Sequence, residues 1–173
     1  MSELELFRKE KDEFFRKSHD SPLLPKQQAA FAGLSYFPEN SDLLLAVEVS
    51  RFPEEQEVKI QTNTGAVQTY RRHGRFKFEV DGQPAELTIF ENEHGYFLPF
   101  ADSLAGQETY GAGRYLEPER LLDGRFEVDF NVAYNPYCAY NERWSCPITP
   151  AENRLKVPIR AGERIFKEPE PPG

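Results

Sequence analysis

From Asp42 onward the chain is written in a period of two, and this alternation limits its fold more than any other feature. Leu43–Phe52 opens as a continuous apolar run and then alternates. Val58, Ile60 and Thr62 share one face, as do Phe76, Phe78 and Val80, then Leu87 and Ile89. The pattern returns at Phe126, Val128, Phe130 and Val132, and again at Leu155, Val157 and Ile159. Successive side chains of a strand point to opposite faces, so each run reads as a strand buried on one side. Between the runs lie Asn63-Thr64-Gly65, His73-Gly74, Asp81-Gly82, His94-Gly95, Asp123-Gly124 and Ala161-Gly162, where glycine supplies the positive φ of a tight turn. No helical pattern separates the runs, which excludes a parallel sheet with crossover helices. The expectation is a mainly β protein, an antiparallel β-barrel or β-sandwich of about eight strands.

The N-terminus is written in a different period. Ser2 and Glu5 have capping-box spacing, and Leu4, Phe7, Phe14 and Phe15 fall on one helical stripe. Glu5/Lys9, Asp12/Arg16 and Glu13/Lys17 are oppositely charged pairs four residues apart, in the order that supports a helix. An amphipathic α-helix is expected over residues 3–18, ending before Ser21-Pro22. A second, short helix is expected from Pro25 to Ala32, with Pro25 near its first position and Gly33 past its end.

The chain is 173 residues long, enough for one domain with a core that needs neither metal nor disulfides. One domain is expected over 1–167, with a β-rich body at 42–167 and a disordered tail at 168–173, where Glu168-Pro169-Glu170-Pro171-Pro172-Gly173 has no apolar side chain to bury. A net charge of -8 argues against nucleic-acid partners, whose phosphates demand cations, and against anionic membrane surfaces. No run approaches the roughly 20 apolar residues of a membrane helix. The first residues are acidic and lack the basic-then-apolar order of a secretory leader. A cytoplasmic protein is expected, with Cys138 and Cys146 as reduced thiols. Nothing in the sequence sets the oligomeric state.

The motifs of common chemistry are missing. Cys138 and Cys146 do not have zinc-finger spacing, and His19, His73 and His94 lie far from them, so no metal site is expected. Gly111-Ala112-Gly113 lacks the lysine and hydroxyl of a phosphate loop and reads as a bend in a β-chain. No cofactor is expected. The segment from Thr109 to Asn153 is nonetheless dense in Tyr, Asn and Asp. On a strand in which Phe130 and Val132 face the core, Asp129 and Asn131 share the opposite face. If that face is open to solvent, the two are an ordinary polar side; if a groove covers it, they orient a ligand.

Several strings carry a family resemblance. Leu98-Pro99-Phe100-Ala101-Asp102, Thr109-Tyr110-Gly111-Ala112-Gly113-Arg114-Tyr115-Leu116, Asp129-Phe130-Asn131 through Cys138-Ala139-Tyr140, Cys146-Pro147, Glu152-Asn153-Arg154-Leu155 and Ala161-Gly162-Glu163 together resemble the bacterial and archaeal family called domain of unknown function 1684. The resemblance runs from the N-terminal helix to about Glu163. It implies no activity, cofactor or substrate.

The leading expectation is therefore a cleft in the 109–153 segment that binds a small polar or anionic molecule, with catalysis left open. Arg114 would pair a carboxylate or phosphate through its planar fork, although the same guanidinium is open to a structural ion pair in an acidic domain. Tyr110, Asn131, Tyr134, Asn135 and Asn153 would orient the ligand. Asp129 and Glu152 are the acid/base candidates, since a partly buried carboxylate can be tuned toward neutrality. The alternative is a non-catalytic interaction module in which Tyr134, Tyr137, Tyr140 and Trp144 form a protein interface.

Overall fold

A computed structural model describes residues 1–168, so Pro169–Gly173, most of the expected tail, lies outside the described residues. Helix α1 spans Glu3–Lys17, and the Ser2 hydroxyl accepts the Glu5 backbone N–H at 3.1 Å. Helix α2, Pro25–Ala30, is followed by eight strands: β1 (Leu44–Val47), β2 (Ser50–Gln61), β3 (Val67–Val80), β4 (Gln83–Asn92), β5 (Gly95–Phe100), β6 (Arg114–Leu116), β7 (Glu119–Arg120) and β8 (Phe126–Asp129). The protein is mainly β, as the alternation implies.

The strands form two antiparallel sheets, a five-stranded meander in the order β2-β3-β4-β5-β6 and a three-stranded sheet in the order β1-β8-β7. Among the described residues they do not join into a closed barrel. Both sheets contribute to one core: Phe76, Phe78 and Val80 of β3, Leu87 and Ile89 of β4, Leu98 and Phe100 of β5, Val47 of β1, and Phe126 and Val128 of β8. These are the alternating residues of the sequence, and burying them stabilises the pairing of the sheets by roughly 1.5–3 kcal/mol per large side chain.

Three sequence expectations fail for local reasons. Leu43–Phe52 is not one strand, because the chain leaves β1 at Val47 and enters β2 at Ser50, in the other sheet. His73-Gly74 is not a turn but a bulge inside the continuous β3, where the register to β4 shifts between Arg72 and Gly74. A Cβ on Gly74 would lie 2.7 Å from Ser50 O, so glycine is there for close approach of backbone rather than for chain reversal. Leu155, Val157 and Ile159 do not form a strand. Pro158 lacks an N–H, and the segment is held by scattered bonds, including Leu155 N–H to Ala101 O at 2.7 Å and Ser103 N–H to Val157 O at 3.0 Å. Val157 and Ile159 are buried all the same.

The α1 stripe divides. Phe15 is buried against Leu23, Phe31 and Tyr140, whereas Phe14 is 40% and Phe7 44% exposed. Adjacent helical positions differ by about 100° in direction, so one core cannot receive both Phe14 and Phe15. Asp12 also leaves its expected partner Arg16: its carboxylate accepts the Leu34 N–H at 3.2 Å and the Tyr36 hydroxyl at 3.0 Å, tying α1 to the chain after α2.

The β3 bulge turns His73 inward, where its ring meets Tyr96 of β5 at 4.9 Å and Phe126 of β8 at 5.5 Å between centroids. Nδ1 lies 3.5 Å from Glu91 Oε1 but makes no hydrogen bond. Burial, and then the charge of Arg51, hold the imidazole below its usual pKa, so the folded state favours neutral His73. Its contribution to stability is therefore present in full above the unfolded-chain value of about 6.5 and is lost as pH falls from there through the folded value. Urea unfolding between pH 8 and pH 5 should show wild type losing stability over this window more steeply than His73→Phe; parallel curves would show that His73 does not protonate on unfolding.

Candidate functional site

The Gly-x-Gly bend leads into β6 through Gly113, at φ 105°, where a Cβ would lie 2.7 Å from Phe100 O. This close approach sends Arg114 into the protein. Arg114 is 1% exposed, and its donors go to backbone: one Nη to Ala161 O at 2.5 Å and Glu163 O at 3.0 Å, the other to Ile159 O at 2.9 Å. Asp102 Oδ2 is 3.9 Å away. Burial pulls the guanidinium pKa down to about 10, against the opposing pull of Asp102 and Glu163, so it remains charged at neutral pH. The expected ligand-binding arginine is a clamp on residues 159–163, with no face toward a cleft.

The asparagines act in the same way. Asn131 is not on a strand face beside Asp129, because the chain turns into a 3-10 turn at Phe130–Val132 that Asp129 caps, Oδ1 accepting both the N–H and the side-chain amide of Asn131 at 3.0 Å. The Asn131 side chain pairs with both backbone groups of Asn40, at 2.8 and 2.9 Å. Asn153, with no exposed surface, accepts the Thr88 N–H at 2.9 Å and donates to Thr88 O and Pro99 O, each at 2.8 Å. Asn135 donates to Arg164 O at 3.0 Å, and its backbone N–H reaches Glu163 Oε1 at 3.3 Å. Each amide replaces backbone partners that the irregular chain cannot supply.

The two acid/base candidates do not meet. Asp129 is occupied by its cap, and Glu152 lies on the outer surface, paired with Arg72 Nη2 at 2.9 Å. Tyr110 is half-buried, its hydroxyl 3.7 Å from Cys138 Sγ. Of the expected site residues, Tyr134 borders a substantial cavity.

That cavity is a groove of about 680 Å³ between α1 and the 134–146 loop. Phe7 and Phe14 form the helix side, and Tyr134, Tyr137 and Trp144 the loop side, with Cys146 among its lining residues. Tyr137 and Trp144 meet edge to face at 5.1 Å. The Trp144 indole N–H donates to Pro22 O at 3.1 Å, which anchors the loop near the end of α1. Tyr134 donates its hydroxyl to Glu117, and burial raises its pKa so that it stays a donor. Glu10 and Lys11 are the charged lining residues. Lys11 pairs with the buried carboxylate of Glu163, which also accepts the Tyr140 hydroxyl at 2.7 Å.

The α1 side of the groove is not among the sequence expectations, although the helix carries a signal for it. Phe7 and Phe14 are seven residues apart, on one face with Glu10 and Lys11 between them, while Phe15, one position further on, is the residue buried in the core. The aromatic loop, by contrast, is legible in the sequence through Tyr134, Tyr137 and Trp144. Among the described residues, no group of three or more His, Cys, Asp or Glu is gathered to hold a metal ion, and no helix is long and apolar enough to cross a membrane.

The clamp assignment separates neighbours in sequence. Asn153→Ala leaves three buried backbone groups without partners and should lower the unfolding free energy by roughly 3–5 kcal/mol. Glu152→Gln, which touches an exposed ion pair, should change it by less than about 1 kcal/mol. Equal effects in urea unfolding would contradict the assignment.

Residues 29–164 match the family described as protein of unknown function, DUF1684. No curated protein matches the chain. The fold is similar to the solution NMR structure of an uncharacterized protein of Haloarcula marismortui, with 37% sequence identity over 93% of this chain and 91% of that one and a TM-score of 0.68. The chain belongs to the DUF1684 family.

Proposed function

We propose that the groove between α1 and the 134–146 loop binds a small molecule with an apolar, preferably flat body that is uncharged or positively charged. The observation that carries this reading is a concave space walled by Phe7, Phe14, Tyr134, Tyr137 and Trp144. Its volume, about 680 Å³, falls in the range of about 300–1,000 Å³ typical of small-molecule sites.

The charge preference follows from where the cations are spent. The expectation of an anion rested on Arg114, which is sealed in the core. Of the charged lining residues, Lys11 is engaged by Glu163, and Glu10 has no such partner among the groove residues. Lys11 Nζ lies 5.0 Å from the Tyr134 ring centroid and the Arg143 guanidinium 4.7 Å from that of Trp144, so those two faces are taken, and a ligand cation would stack on Phe7, Phe14 or Tyr137. An organic cation over such rings gains about 0.5–2 kcal/mol from the ring quadrupole. Asp129 and Glu152 stand outside the groove, so this is a reading of binding rather than catalysis.

A second reading keeps the same surface and changes the occupant. Phe7 and Phe14 are exposed enough to meet an apolar side chain from a partner protein, and exposed aromatics are favoured interface anchors. Trp144 is the sole tryptophan and reports the groove directly. In a fluorescence titration, benzyltrimethylammonium and benzyl alcohol should perturb Trp144 saturably, benzoate should bind several-fold more weakly, and Phe14→Ala should weaken the first two. Tightest binding by benzoate would overturn the charge preference. Silence from all three probes would favour the protein partner.

A further inference from the structure

We infer that Cys138 and Cys146 form a reactive dithiol that exchanges with low-molecular-weight disulfides and closes to an internal disulfide. The geometry brings the two together across the tyrosine-rich loop. The 3-10 turn Tyr137–Ala139 presents the Cys138 backbone N–H to Cys146 Sγ at 3.3 Å. The second cysteine is fixed from the other side: its N–H donates to Asn63 Oδ1 at 2.7 Å and its carbonyl accepts the Asn63 N–H at 3.1 Å. Both thiols are free. Cys138 is partly exposed, whereas Cys146 is buried from the general surface but lines the groove.

The environment assigns different roles to the two sulfurs. Hydrogen bonding from Cys146 and from the Tyr110 hydroxyl, 3.7 Å away, pulls the Cys138 thiol below its usual pKa. Cys146 is pushed up, because its partner takes the negative charge first and because it is buried, although the backbone N–H groups of Cys138 and Tyr137 oppose this. A thiolate attacks and a neighbouring thiol resolves, which is the division of labour in thiol–disulfide exchange.

The step balances. Cys138 thiolate attacks one sulfur of a small disulfide, forming a mixed disulfide and expelling one small thiolate. Cys146 then loses its proton and attacks the Cys138 sulfur, closing the Cys138–Cys146 bond and expelling the second. Two protein thiols are oxidised and one small disulfide is reduced to two thiols. Separation by eight positions in one loop keeps the ring small, and neither half requires unfolding of a sheet.

The test is incubation of the native protein with oxidised glutathione, followed by intact mass and peptide mapping. Wild type should lose both thiols together and accumulate the internal disulfide with little retained glutathione. Cys146→Ser should trap glutathione on Cys138, and Cys138→Ser should react several-fold more slowly than Cys146→Ser, with circular dichroism confirming that both variants are folded. The wild-type arm stands without the variants. A stable glutathione adduct with no internal bond would overturn the inference, as would thiols that react only after denaturation. Groove binding is not involved in any of these readouts.

Discussion

A single buried guanidinium fixes the layout of this protein. Arg114 leaves β6 inward because Gly113 brings its backbone against Phe100, and it gathers the carbonyls of Ile159, Ala161 and Glu163 beside Asp102. Asp102 is shared in turn, accepting the Thr109 hydroxyl and the Ile159 N–H, each at 2.7 Å. The segment so held has little ladder pairing of its own, and without the clamp its buried carbonyls would lack donors. Its end carries Glu163, the partner of Lys11 and Tyr140. The clamp in the core thereby reaches α1, which Phe15 and Asp12 also hold in place, and α1 is one wall of the groove.

The same logic recurs wherever the chain departs from regular strand. Asn131 holds Asn40, Asn153 bridges Thr88 and Pro99, and Asn135 meets Arg164. A side-chain amide carries both donors and acceptor, so it substitutes for a missing strand edge. This explains why the segment richest in polar residues is not where a ligand is proposed to bind. Its polarity satisfies backbone, and the open concave surface is left to aromatic rings on the helix and the loop.

The alternation of the β body and the N-terminal cap were legible in the sequence, because period and capping are local properties. The hairpins at Asn63-Thr64-Gly65, Asp81-Gly82 and His94-Gly95 were legible for the same reason. The bulge at Gly74 was not, since a glycine needed for close approach to Ser50 is indistinguishable in sequence from one needed for a turn. Arg114 was legible as important and misassigned in role: the partners that consume its donors lie 45 or more positions away. The groove was half legible. Tyr134, Tyr137 and Trp144 stood out by composition, but Phe7 and Phe14 merged into a stripe whose core-facing member is Phe15.

The most direct measurement is the unfolding free energy of Arg114→Met in urea, followed alongside the Trp144 response to benzyltrimethylammonium. Methionine keeps an unbranched apolar stem but ends short of the guanidinium, so the substitution removes the charge and the fork while leaving the stem in the core. If Arg114 is the clamp, stability should fall by about 3–5 kcal/mol, as when a buried charge loses its partner, and the protein that remains folded should still bind the probe. Stability within about 1 kcal/mol of wild type, together with loss of the probe response, would contradict this account and return Arg114 to the binding site.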